Sequence, residues 1–171
     1  MKVVYTTNTG STKRYAQMLS EKLSCDCIDL NDAEAAKAAV GEEIVYLGWV
    51  MASQIQGLPK ARELYGSSIK AVCAVGMLGQ KNEDELIKKN AVNEKFFALA
   101  GCFDVERLTG MYKMMMKMML GTIKKQLKSS TDPADAKVLE MLENGIDMVK
   151  EENLDGVLKF LNGESADETD E

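Results

Sequence analysis

The chain has no histidine. A Ser-His-Asp triad, a His-activated cysteine and a His-ligated metal site are therefore excluded, and proton chemistry falls to Asp, Glu, Lys, Tyr or a bound cofactor. No apolar run approaches the length of a membrane span, and the N-terminus leads directly into a strand rather than a leader, so a cytoplasmic protein is expected. The four cysteines, Cys25, Cys27, Cys73 and Cys102, include no C-x-x-C pair and lack partners for a zinc site. Reduced, buried thiols are the expectation. A Cys-x5-Arg phosphatase loop is missing by one residue, since Arg107 follows Cys102 too early. The nucleotide pattern G-x-x-x-x-G-K-[ST] and the dinucleotide pattern G-x-G-x-x-G are absent as well.

The net charge of −6 is concentrated at one end. Residues 164–171 hold five acids and no base, and the rest of the chain carries −1. We expect residues 164–171 to be a disordered, solubilising tail and residues 1–163 to form one domain. A nucleic-acid partner is not supported.

Strand and helix signals alternate along that domain. Short apolar strands are expected at residues 3–6, 25–30, 43–49, 69–77 and 95–103. Helices are expected at 12–23, from Asn31 or Asp32 to 40, from Gly57-Leu58-Pro59, from Asn82-Glu83-Asp84-Glu85, over 131–150, and from Asn153 to 161. This alternation implies an α/β fold, a parallel sheet with right-handed crossovers, whose ligands bind past the carboxyl ends of the strands.

What lies at that edge is Thr7-Asn8-Thr9-Gly10-Ser11-Thr12, a hydroxyl-rich loop between the first strand and the first helix. Free backbone N–H groups and hydroxyls converge there at the positive end of a helix dipole, which suits a phosphate. The same residues also read as a helix cap, with Thr9 or Ser11 at the N-cap. Lys13 or Arg14 offers added charge. The pattern T-x-T-G-x-T resembles the FMN-phosphate loop of flavodoxins, with every position filled. That resemblance implies a flavodoxin-like three-layer sandwich, strand order 2-1-3-4-5, with FMN as cofactor. It also implies that two more loops flank the flavin ring. The first contains Trp49, Val50, Met51 and Ala52; Trp49 could stack on the ring or finish its strand in the core. The second contains Gly76, Met77, Leu78 and Gly79, whose glycines allow close backbone approach. No residue is assigned a catalytic role, and no metal is expected.

The segment after the fifth strand is unusual. Residues 109–130 read as a helical insert rich in Met and Lys. At about 100° per residue, Lys113, Lys117, Lys124 and Lys128 form a stripe, while Met111, Met114, Met115, Met118, Met119 and Ile123 occupy the remainder. Packing on the domain, contact with a membrane surface through residues 111–128, and docking to a partner protein all remain open. From Gly101-Cys102-Phe103-Asp104 through Met111-Tyr112-Lys113 to Met119, the segment resembles the flavodoxin-type (menaquinone-dependent) protoporphyrinogen oxidase branch. The resemblance implies an FMN-dependent oxidoreductase passing electrons between a reductant and a small acceptor such as a quinone or porphyrinogen, and it allows peripheral contact with the inner membrane face. An electron carrier exchanging electrons with a redox partner protein, and an FMN-free interaction module, are the alternatives.

Overall fold

The computed structural model describes residues 1–77, 83–129, 139 and 144–164. Five parallel strands form the centre of the domain: β1 (Lys2–Tyr5), β2 (Cys27–Asp29), β3 (Ile44–Met51), β5 (Ile69–Gly76) and β6 (Lys95–Ala100). They lie in the order β2-β1-β3-β5-β6, which is the expected 2-1-3-4-5 arrangement. A sixth, short strand, β4 (Gln54–Ile55), turns back antiparallel on the end of β3.

Burial on both faces explains why β1, β3, β5 and β6 are mostly apolar. Along β1 and β3, Val4, Ile44 and Tyr46 face one side, and Val3, Tyr5, Val45 and Leu47 face the other. The first side is covered by α2 (Ala33–Ala38), α3 (Leu58–Tyr65) and α4 (Glu83–Lys89), through Ala36, Leu58, Ala61, Tyr65 and Leu86. On the second side, α1 (Ser11–Leu23) brings Tyr15, Ala16 and Leu19, and a C-terminal helix, α6 (Asp155–Leu161), brings Val157. Asp32 caps α2, its Oδ1 accepting from the Ala35 N–H at 3.1 Å. Pro59 sits in the first turn of α3. Both were legible from local chemistry.

The fifth strand is shorter than expected. It breaks at Gly101, whose N–H donates to the Gly76 carbonyl at 2.9 Å and whose carbonyl accepts from the Met148 N–H at 3.3 Å. A two-residue strand β7 (Cys102–Phe103) then leaves the sheet, and β8 (Ile146–Asp147) returns antiparallel beside it. Between them runs α5 (Gly110–Lys128), the Met- and Lys-rich helix. The helix expected over 131–150 does not reach its predicted end. Gly145 turns left-handed at φ +74°, Ile146 pairs in a strand and Val149 is buried in the core. Residues 130–138 and 140–143, and the acidic tail from 165, lie outside the described residues. Among the described residues no helix is long and apolar enough to cross a membrane.

The carboxyl end of β1 is tied to the body of β3 by a buried polar joint. Thr6 Oγ1 and the Tyr46 hydroxyl lie 2.9 Å apart, and they donate to the Gln56 carbonyl at 2.7 and 2.6 Å respectively. Burial pushes the Tyr46 phenol well above its ordinary pKa, so it remains a donor at any physiological pH. Gly57 completes the joint. At φ +80° it caps α3, and a Cβ there would collide with the Tyr46 hydroxyl and lie 2.6 Å from Thr6 Cγ2. Gly57→Ala combines left-handed strain with overpacking and should cost about 3 kcal/mol, seen as a fall of roughly 10 °C in Tm. A Tm within 2 °C of the parent would contradict this account of the joint.

Candidate functional site

A cavity of about 370 Å³ opens at the carboxyl edge of the sheet, where α1 begins. This is within the size range of small-molecule sites. One end is formed by Thr9, Ser11 and Thr12, and the walls by Trp49, Val50 and Met51 of β3 with Ala52 just after it, and by Gly76 of β5 with Met77 just after it. The structure thus brings nine of the predicted site residues to one space. Thr7, Asn8 and Gly10 do not line it, and Leu78 and Gly79 lie outside the described residues.

The first loop is not a self-sufficient helix cap. Gly10 occupies the N-cap in a left-handed conformation (φ +96°), and no side chain caps α1. Thr9 and Ser11 therefore do not cap the helix, contrary to the capping alternative. The first intrahelical bond runs from Arg14 N–H to the Gly10 carbonyl at 3.1 Å, so the amides before it lack helical acceptors. Thr7 and Asn8 brace the loop instead: Thr7 Oγ1 accepts from Gly10 N–H at 3.0 Å, and Asn8 Oδ1 accepts from Thr109 N–H at 3.1 Å. Ser11 Oγ lies 3.4 Å from Thr9 Oγ1 and accepts from Cys102 N–H at 3.2 Å. Thr12 Oγ1 is buried and has no hydrogen-bond partner among the described residues. An unpaired buried hydroxyl costs about 1–3 kcal/mol. Its place at an uncapped helix N-terminus fits a ligand with anionic oxygens, such as a phosphate.

Neither basic neighbour lines the cavity. Lys13 is exposed, and Arg14 Nη1 pairs with Asp147 Oδ2 at 2.6 Å. The Asp147 carboxyl is held down at about 2, chiefly by a hydrogen bond from the Cys102 thiol, with the Val149 amide and Arg14 contributing. The hydroxyl-loop end of the cavity is therefore lined by neutral donors. The cysteines offer no activated nucleophile: burial raises all four thiols, Cys73 to about 12. Cys73 alone among them is fully buried; the other three are half-buried, less enclosed than expected.

Trp49 is half-buried at the end of β3, so it does not finish the strand in the core. Its ring meets Tyr112 of α5 edge-on, with centroids 5.0 Å apart at 89°. This contact ties α5 to the cavity wall. The roof of the cavity is α5 itself, through Met115, Met116, Met119, Leu120 and Ile123, with Phe103 and Leu108 beside it. The helix is held mostly at its start, where Glu106 pairs with Lys113 and Lys117 at 3.0 and 2.8 Å. Leu120 is its one buried residue, whereas Met111, Met114 and Met118 are 71 %, 71 % and 75 % exposed. The inward face is set by the spacing Tyr112, Met116, Leu120, Ile123, a signal that the abundance of methionine on every side conceals.

The comparisons agree with this arrangement. The family model described as a flavodoxin domain matches residues 2–134. No curated protein and no solved structure matches the chain. The family match spans β1, the hydroxyl loop, every parallel strand and α5, and on that basis the chain belongs to the flavodoxin-domain family.

Proposed function

We propose that this protein binds FMN in the cavity beneath α5 and uses it for electron transfer. The observation that carries the reading is the Thr12 hydroxyl, buried and unpaired at an uncapped helix N-terminus that opens into a cavity of ligand size. The phosphate accepts hydrogen bonds from the Thr9, Ser11 and Thr12 hydroxyls and from the first amides of α1, with about 0.3–1 kcal/mol more from the helix dipole. Thr7 and Asn8 hold the loop in shape. Trp49, Val50, Met51 and Ala52 on one side, and Gly76 and Met77 on the other, enclose the ring and exclude water from it. When bound, FMN supplies one- and two-electron redox chemistry, so no protein side chain needs to act covalently.

The second substrate we infer is a largely apolar molecule, a quinone that takes electrons or a porphyrinogen that gives them, because Phe103, Leu108, Met116 and Leu120 line the cavity with apolar side chains. The exposed Met111, Met114 and Met118, on a helix with five lysines and no acid, favour peripheral contact with an anionic membrane surface. A protein that exchanges electrons with a redox partner through the same face is the second reading.

Thr12→Val separates a ligand role from a structural one, because the two effects have opposite signs. Replacing an orphan hydroxyl with a methyl should stabilise the unliganded protein by about 1 kcal/mol, a rise of roughly 2–4 °C in Tm. The same change should weaken FMN binding about ten- to a hundredfold. Unchanged FMN affinity in a folded variant would remove the phosphate from this loop. For the α5 surface, the protein should float with anionic but not with neutral vesicles, and Met114→Asp with Met118→Asp should abolish flotation without lowering Tm. Absence of flotation with anionic vesicles would leave a redox protein as the partner.

A further inference from the structure

Four non-glycine residues among those described have positive φ; two of them, Ser53 and Ala91, belong to one hydrogen-bonded cluster, and a third, Ala52, adjoins it in the cavity wall. Ala52 (φ +50°) and Ser53 (φ +59°) form the two-residue turn between β3 and β4, with Met51 opposite Gln54. Turns of this shape favour Asn and Gly, because a Cβ makes the left-handed conformation costly. Neither occupies this turn, and Ala52 lines the cavity.

The conformation is imposed from outside the turn. Asn90, at the end of α4, donates from Nδ2 to the Ser53 carbonyl at 2.9 Å and accepts at Oδ1 from the Ile55 N–H at 2.8 Å. Its Nδ2 also donates to the Leu86 carbonyl at 2.8 Å, which fixes the amide to its own helix. Donor and acceptor must both be present in this orientation, a requirement an amide meets and a carboxylate or alkyl group does not. Asn90 is itself held by Arg62 of α3. Arg62 Nη1 donates to the Asn90 carbonyl at 2.8 Å and Nη2 to the Ala91 carbonyl at 3.1 Å, while the guanidinium grips Glu94 at 2.9 and 2.7 Å. The result is a polar strut running from α3 through α4 to the cavity wall.

We propose that Asn90 is a positioning residue for the cofactor site: its amide imposes the left-handed Ala52–Ser53 turn and thereby fixes the wall against which the flavin ring lies. This rests on the FMN reading above. Glycine would give the same turn without a strut. Here the shape of the wall instead depends on a side chain 37 residues away in the chain. Strain of this kind persists only where surrounding structure enforces it.

The test compares Asn90→Ala in two backgrounds, the parent protein and an Ala52→Gly, Ser53→Gly variant whose turn adopts positive φ freely. In the parent background Asn90→Ala should weaken FMN binding about tenfold and shift the visible bands of the bound flavin. In the Gly-Gly background it should change affinity less than about twofold, since the turn no longer needs the amide. An equal loss in both backgrounds, or no loss in the parent, would overturn the proposal. Asn90→Asp, which keeps the acceptor for Ile55 but loses the donor to Ser53, serves if the alanine variant fails to fold and should follow the same pattern. Backbone chemical shifts of Ala52 and Ser53 in the unliganded proteins read the turn directly, and they should leave the left-handed range on Asn90→Ala in the parent background only. Wild-type protein that takes up no FMN overturns the cofactor reading, and Asn90's role in the site with it. Normal FMN uptake with unmoved Ala52 and Ser53 shifts on Asn90→Ala overturns the Asn90 assignment alone.

Discussion

The Thr6 and Tyr46 hydroxyls converge on the Gln56 carbonyl and set how the elements around the cavity leave the sheet. Thr6 is the last residue before the hydroxyl loop, Tyr46 lies in β3, and Gln56 leads from β4 into α3. One carbonyl thus joins the strand that feeds the hydroxyl loop to the strand that builds the opposite wall. The parallel pairing of β1 with β3 already sets the end of β1 beside Leu47 of β3, with Thr6 N–H donating to the Leu47 carbonyl at 3.0 Å. The joint then fixes how the chain departs from them. Because a polar group at this depth is costly unless paired, the arrangement tolerates few alternatives.

From this joint the molecule divides into a rigid floor and a thin roof. The floor is a sheet buried on both faces, with Tyr15, Leu19, Leu154 and Val157 on one side and Leu58, Ala61 and Tyr65 on the other. The roof is α5, which buries one leucine and relies on Glu106, Asn8 and the Trp49–Tyr112 contact for its placement. Exposed ion pairs of this kind contribute about 1 kcal/mol or less each. Little apolar area therefore holds the roof down compared with the floor. In the proposed function that asymmetry suits the two tasks, a fixed cradle for the cofactor and a side that a reaction partner can enter.

How much of this was legible in the sequence follows from the physics of each part. The parallel strands could be read because strands buried on both faces are near-continuous apolar runs, as in Ile44–Met51 and in residues 71–76 of β5. Asp32 and Gly57-Leu58-Pro59 announced their helices through local chemistry. The hydroxyl loop was visible, but its internal assignments were not. Gly10, rather than Thr9 or Ser11, takes the N-cap, and Thr7 and Asn8 serve as braces. The β7–β8 pairing was hidden because its strands are two residues long and more than forty residues apart. The inward face of α5 was hidden because methionine is common on both faces. Asn90 carries no local signal at all, since its role exists only once α4 and the β3–β4 turn are folded together.

The most direct test of the central claim is a titration of the unliganded protein with FMN and with riboflavin, followed through tryptophan emission. Trp49 is the only tryptophan in the chain and lies in the wall of the cavity, so its quenching reports ring binding there. If the α1 N-terminus holds the phosphate, both ligands quench Trp49 and FMN binds at least about tenfold more tightly than riboflavin. Equal affinities would show that the phosphate does not engage the hydroxyl loop, and binding without quenching would place the flavin outside this cavity.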